Sequence, residues 1–288
     1  PHVISYDLIL SWQERTIVPL HTCSLEDIMS VNIMLGVPSG QCNKYHGGPS
    51  LDSHPIDNNN LLFYTNGTLV WNREHQIMPN GTGLLGEDTS TQSAIIVPNP
   101  QQPNLYYIFT VDGLFPGEND AANLRGLNYS TLDMNLDGGL GDIIPSEKNI
   151  NLLPTNSEKI TAVRNADCES IWVITHFIDR FYAYDVTAAG VNPVTVESVV
   201  DPVVPLIGYR DNALGYLKSS PDGSKLAIAH ATLNENPASD AGSPGALLVY
   251  DFDTATGVDG SITDTRANDQ SLDTQAYNVQ CYDCHSSH

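Results

Sequence analysis

The chain has 288 residues, with 12 Lys and Arg against 34 Asp and Glu and a formal net charge of −22. Its length allows a substantial core in one large β domain or two ordinary ones, and 41% hydrophobic residues make it globular rather than disordered. So acidic a surface repels phosphate, which excludes nucleic acid as a default partner and argues against anionic lipid; no run of about 20 apolar residues exists to span a membrane.

The chain opens on Pro1 with no Met and no basic-then-apolar leader, so it reads as a mature, processed product or a fragment. From about residue 57 onward, helical periodicity is nearly absent and short β-type runs are punctuated by Gly, Pro, Asn and Asp. Leu61–Thr65 predicts a strand, Asn66-Gly67 a tight hairpin turn and Thr68–Trp71 the return strand. Strands follow at Ala94–Val97, Leu105–Thr110, Ile160–Val163, Ile171–His176 and Phe181–Asp185. The last set is Gly215–Lys218, the turn Ser220-Pro221-Asp222-Gly223, Lys225–Ala229 and Ala246–Asp251. These units recur every 45 to 60 residues or so, the spacing of propeller blades, and four can be counted between 57 and 258. The expectation is an all-β, propeller-like domain over 57–258, between an N-terminal segment 1–56 and an irregular tail 259–288. A β-sandwich is the alternative. Closure of a propeller usually takes more blades, so either the first 56 residues supply strands or the chain is incomplete.

The stretches 60–67, 70–83, 90–94, 106–112, 159–163 and 220–226 carry a resemblance. They look like the WD40-like propeller region of secreted bacterial proteins linked to gliding motility and cell-surface adhesion. The match covers roughly 58–258 and is most specific in its first half. It implies a fold and a bacterial surface location, and little chemistry. Residues 1–56 do not follow the family pattern, and the tail leaves it after Val258.

Chemistry enters in the tail, Gln280-Cys281-Tyr282-Asp283-Cys284-His285-Ser286-Ser287-His288. Cys-x-x-Cys-His is the attachment site of a c-type haem: two thiols reach the two vinyl groups while the adjacent imidazole turns onto the iron. The motif resembles the c-type cytochromes, which implies one covalent haem c with Cys281 and Cys284 as thioether anchors and His285 as proximal iron ligand. Three blander readings stand beside it: a Cys281–Cys284 disulfide, a chance match with free thiols, and a zinc clasp by Cys281, Cys284, His285 and His288. Four ligands within eight residues strain a tetrahedron, which counts against zinc.

A haem usually takes a second axial ligand. His288 is too close in sequence to reach the opposite face of the same iron. His75, His176 and His230 lie in or after blade-like strands and read as structural. The distal candidates are His2, His21, His46 and His54; His46 and His54 flank a Gly- and Pro-rich loop that can fold over a cofactor. Met29 and Met34 are weaker, their apolar surroundings suggesting core. If His2 of one subunit ligates the tail haem of the next, the contact repeats without closing and builds a filament.

Cys23 and Cys42 are expected to form a disulfide, leaving Cys168 as an odd, buried thiol; a Cys23–Cys168 pair is the rival. Asp133–Gly138 opens like a calcium loop, but its twelfth position is Ile144 rather than Glu, so it reads as a plain turn. Asp251–Gly257 reads as a turn in which Asp and Thr bond the local backbone. Glycosylation triplets at Asn66, Asn80 and Asn128 carry little weight in an Asn-rich chain. There is no Gly-x-Ser-x-Gly, His-Glu-x-x-His or phosphate loop, and with 34 acidic residues a paired-carboxylate site is uninformative. The expected protein is an electron carrier rather than an enzyme, extracellular or periplasmic, partnered by a redox protein or by identical subunits in an oligomer or filament. The alternative is a surface adhesion or motility-associated propeller with a structural Cys/His cluster. A third reading, an oxidoreductase with a second cofactor, finds no docking pattern among the three Trp residues.

Overall fold

The computed structural model describes residues 56–57, 60–113, 125–204, 212–231 and 245–267. They are all-β, built of antiparallel sheets that follow one another along the chain. A short pair, β1 (Ile56–Asp57) and β2 (Asn60–Leu61), precedes the first sheet, β3 (Phe63–Thr65), β4 (Leu69–Asn72) and β5 (Ile77–Thr82). The second sheet runs β10 (Ile150–Leu153), β8 (Leu127–Asp133), β7 (Leu105–Val111) and β6 (Ala94–Pro98), with β9 (Asp142–Ile143) on β8. The third runs β11 (Ile160–Arg164), β12 (Ile171–Phe177) and β13 (Arg180–Thr187), and β13 also pairs with β14 (Gly190–Val191) and β15 (Val196–Val199). The fourth is β16 (Gly215–Ser219), β17 (Lys225–His230), β18 (Ala246–Asp253) and β19 (Val258–Ala267). Strand pairing stays within each unit, unlike the two shared sheets of a sandwich.

The sheets stack face to face in chain order. Phe63, Val70 and Met78 of the first pack on Ile96, Ile108 and Leu132 of the second. Val97, Phe109 and Leu127 on the other face of the second meet Ile160, Val173 and Tyr184 of the third. Val163, Trp172, Ile174 and Phe181 of the third then meet Leu217, Ile228, Leu248 and Tyr250 of the fourth. This layering explains the sequence pattern. The second and third sheets are covered on both faces, so β6, β7, β11 and β12 are nearly continuous buried runs. The end sheets are covered on one face only, and β4, β16, β17 and β18 alternate buried with more exposed residues.

The turns carry their own chemistry. The Asn66 side-chain oxygen accepts the N–H groups of Thr68 and Leu69 at 3.0 and 2.8 Å, and Gly67 takes φ of 91°. The Asp222 carboxylate accepts from Ser220 Oγ and from the Ser224 amide, closing the turn before β17. The expected strands appear in their places, most of them a residue or two longer, and the expected Leu61–Thr65 is divided at Leu62 into β2 and β3. Strands β1, β5, β8, β9, β10, β14, β15 and β19 are additions. In β5 the run Pro79-Asn80-Gly81 lies on a sheet edge, where a missing N–H is tolerated. The Asn80 amide and side chain are held there by Asp142 at 2.8 and 2.6 Å.

Candidate functional site

Strands β6, β11 and β16 each form one edge of the second, third and fourth sheets, and an edge strand has a row of N–H and C=O groups that its own sheet does not pair. The segments leading into these three edges converge. Gln92, just before β6, accepts the Ile160 amide of β11 at 3.2 Å and the Leu217 amide of β16 at 2.8 Å through Oε1. Its Nε2 donates back to the Leu217 carbonyl at 3.4 Å. One side-chain amide thus stands in for a strand against two edges. Thr91 Oγ1 accepts the Gly215 amide at 3.1 Å and donates to the Glu158 carboxylate at 2.6 Å, which also receives the Thr91 amide at 2.6 Å.

Lys159 lies fully buried at this junction, its Nζ donating to the carbonyls of Asn212 and Ala213 at 3.0 and 2.6 Å. Burial lowers its pKa to about 7, against an opposing pull from the Glu158 carboxylate. Two histidines sit beside it at the ends of β12 and β17. The rings of His176 and His230 meet edge to face at 5.6 Å, and His176 also meets Phe181 at 5.0 Å. Burial holds His176 well below the ordinary histidine range, helped by His230 and then Lys159. His230 is pushed down to about 3 by burial and then by Lys159. The side chain of Asn156 and Nδ1 of His230 are buried with no hydrogen-bond partner. The cluster is a polar knot that ties three sheet edges together, and burial lowers the pKa of Lys159 and of both histidines.

The structural reading of His176 and His230 agrees with their places in the core. His75 is exposed in the β4–β5 turn, its Nδ1 3.2 Å from the Tyr64 hydroxyl. In the Asp133–Gly138 turn the Asp133 carboxylate accepts the amide of Asn135 at 2.8 Å. In the Asp251–Gly257 turn Asp253 accepts from the Ala255 amide and Thr256 Oγ1 at 2.9 and 2.8 Å, the local bonding expected there. Among the described residues no three His, Cys, Asp or Glu side chains are grouped to hold a metal.

Cys168 requires a correction. It is neither a free thiol nor fully buried: it sits half-buried in the turn between β11 and β12 at φ of 65°, and it is disulfide-bonded. Cys23, Cys42, Cys281 and Cys284 all lie outside the described residues, so its partner is one of these four. The haem-motif residue His285 also lies outside them, as do His2, His21, His46, His54, His288, Met29 and Met34.

Sequence reasoning missed the junction itself. Thr91, Gln92 and Lys159 fall only within family-like stretches, and Glu158 belongs to no motif. The one available signal was a lone Lys directly before an apolar strand, at Lys159-Ile160-Thr161-Ala162-Val163.

No helix among the described residues is long and apolar enough to cross a membrane. No family model matches the chain, and no curated protein matches it. Among solved structures it is similar to a putative 6-phosphogluconolactonase from Bacteroides uniformis, with 11% sequence identity and a TM-score of 0.35. That likeness covers 72% of this chain, which spans 56% of the length of the other.

Proposed function

We propose that this protein is an extracellular or periplasmic monohaem c-type cytochrome of the bacterial cell surface, a WD40-like propeller scaffold that transfers electrons and joins copies head to tail. The observation that carries the reading is the Cys281-x-x-Cys284-His285 motif. Two thiols and an imidazole are the donor set that covalent haem c requires, with Cys281 and Cys284 as anchors and His285 on the iron. The blade reading is supported by four successive local meanders stacked in chain order. Bound haem supplies one-electron exchange with a neighbouring haem edge. The chain's own contribution is a rigid acidic scaffold that fixes spacing and keeps an assembly soluble. His2, His21, His46 and His54 remain the candidates for the second axial position, because His176 and His230 are committed to the core.

An absorption spectrum of the purified protein tests the proposal. A Soret band with sharp reduced α and β bands, surviving acid-acetone extraction, is the expected result. A colourless protein from a haem-loading host overturns it and leaves the second reading, a surface adhesion or motility-associated propeller.

A further inference from the structure

Lys159, His176 and His230 are the only buried lysine and histidines among the described residues, and all three lie where the third sheet meets the fourth. His176, near the end of β12, and His230, at the end of β17, face each other across this joint at 5.6 Å between ring centroids. Lys159, just before β11, reaches across it to the carbonyls of Asn212 and Ala213, ahead of β16. The charges acting on the two rings are all of one sign: Lys159 acts on both, and His230 acts on His176. The Glu158 carboxylate acts on Lys159 and is held by the amide and hydroxyl of Thr91. The other charged groups on the packed elements are engaged or placed elsewhere. Asp179 and Glu197 pair with Arg180, and Lys225 pairs with Asp251 at the far end of β17. Arg164 and Asp185 stand at the opposite end of the third sheet, beside Ile171 and Trp172. Lys218 alternates with the buried Leu217 and so lies on the other face of β16.

We propose that the joint between the third and fourth sheets is an acid-operated release: protonation of His176 and His230 beside Lys159 parts these two sheets while the other joints stay closed. Burial keeps both rings uncharged at pH 7. An open joint returns the rings to water, where they take up protons that the closed joint refuses, so falling pH draws the equilibrium toward opening. In the closed state two imidazolium rings and the Lys159 ammonium would share one buried site, with no carboxylate acting on either ring. The effect is local. The chain carries a net charge of −22 at pH 7, so acid lowers its overall self-repulsion while like charge builds at this one joint. The freed sheet is the one from which the chain runs on to the Cys281–His285 motif, and its release does not depend on haem.

The test is amide hydrogen exchange of the full chain, read by mass spectrometry from pH 7 down to pH 4 and corrected for the intrinsic pH dependence of exchange. Peptides from β16, β17 and β18 are expected to lose about tenfold more protection over this range than peptides from β7 and β8. The single variants His176→Phe and His230→Phe each keep a ring in the joint and remove one proton site. Each is expected to shrink that differential loss by about threefold or more. Protection of β7 and β8 at pH 7 shows that a variant has folded, and either variant alone decides the matter. Loss of protection in all four sheets together overturns the proposal, because acid would then unfold the chain as a whole. So does a fourth sheet that stays as protected as the second down to pH 4, or a folded variant that opens as readily as wild type.

Discussion

Gln92 and Leu217 are separated by 125 residues in sequence, yet the side-chain carbonyl of Gln92 holds the Leu217 amide at 2.8 Å. The same oxygen takes the amide of Ile160. A buried amide stripped of its acceptor costs about 1–3 kcal/mol, and replacing Gln92 strips two. Gln92→Leu keeps the volume, so the loss is polar rather than a cavity. The expected result is a urea midpoint lowered by an amount equivalent to about 2–5 kcal/mol at unchanged slope. Gln102→Leu removes an exposed bond to the Ala188 carbonyl and is the matched control, expected within about 0.5 kcal/mol of wild type.

Lys159 makes stability pH-dependent in the alkaline direction. Its amine titrates near 7 in the fold against an ordinary 10.5, so between those values the unfolded chain binds more protons than the folded one. Stability from this group therefore rises with pH across that window, by about 1 kcal/mol per pH unit, and is flat below pH 7, where both states are charged. Lys159→Met is expected to remove that slope. Wild-type and variant unfolding free energies measured from pH 7 to 10 give the difference directly, and parallel curves would show the amine to be ordinary.

His230 acts in the acid direction. Its folded value near 3 against an ordinary 6.5 again leaves the unfolded chain with more protons, so stability falls as pH drops through that range. The neighbouring His176 adds to the fall in the same sense. His230→Phe keeps a ring against His176 and removes one titration. The wild-type minus variant stability is expected to shrink by about 1 kcal/mol per pH unit below 6.5. Urea unfolding at pH 7, 6, 5 and 4 reads it, and the difference isolates His230 from carboxylates that titrate in both proteins.

These residues also mark what the sequence made legible. Ile171–His176 and Leu105–Thr110 stand out because a sheet covered on both faces needs an unbroken apolar run, and such runs are readable locally. Strand β8, Leu127-Asn128-Tyr129-Ser130-Thr131-Leu132-Asp133, hides because Asn128, Ser130 and Thr131 break its apolar run and yet are buried, with some bonding reaching well outside the strand. Ser130 Oγ, for example, accepts the Asn149 amide. The junction around Gln92 is less legible still. Nothing near Gln92 in sequence announces that its partners lie 68 and 125 residues away. An amide matched to two strand edges is a property of the closed fold.

The disulfide at Cys168 links the scaffold to the haem proposal through simple counting. Five cysteines are present, and the haem requires Cys281 and Cys284 as thioethers. Cys168 is bonded, so with haem on Cys281 and Cys284 its partner would be Cys23 or Cys42, which would exclude a Cys23–Cys42 pair and leave one thiol free. Non-reducing peptide mapping of the haem-loaded chain is expected to find the 168 peptide joined to the 23 or the 42 peptide. Thiol titration of the denatured protein is expected to give one equivalent. A bond from Cys168 to Cys23 or Cys42 would tie the N-terminal segment to the β11–β12 turn, so under this proposal Cys168→Ser is expected to lose roughly 2–4 kcal/mol of stability while the haem spectrum stays intact. A 168 peptide joined to Cys281 or Cys284 would leave the haem without one of its two anchors, and the motif would then belong to the scaffold rather than to electron transfer.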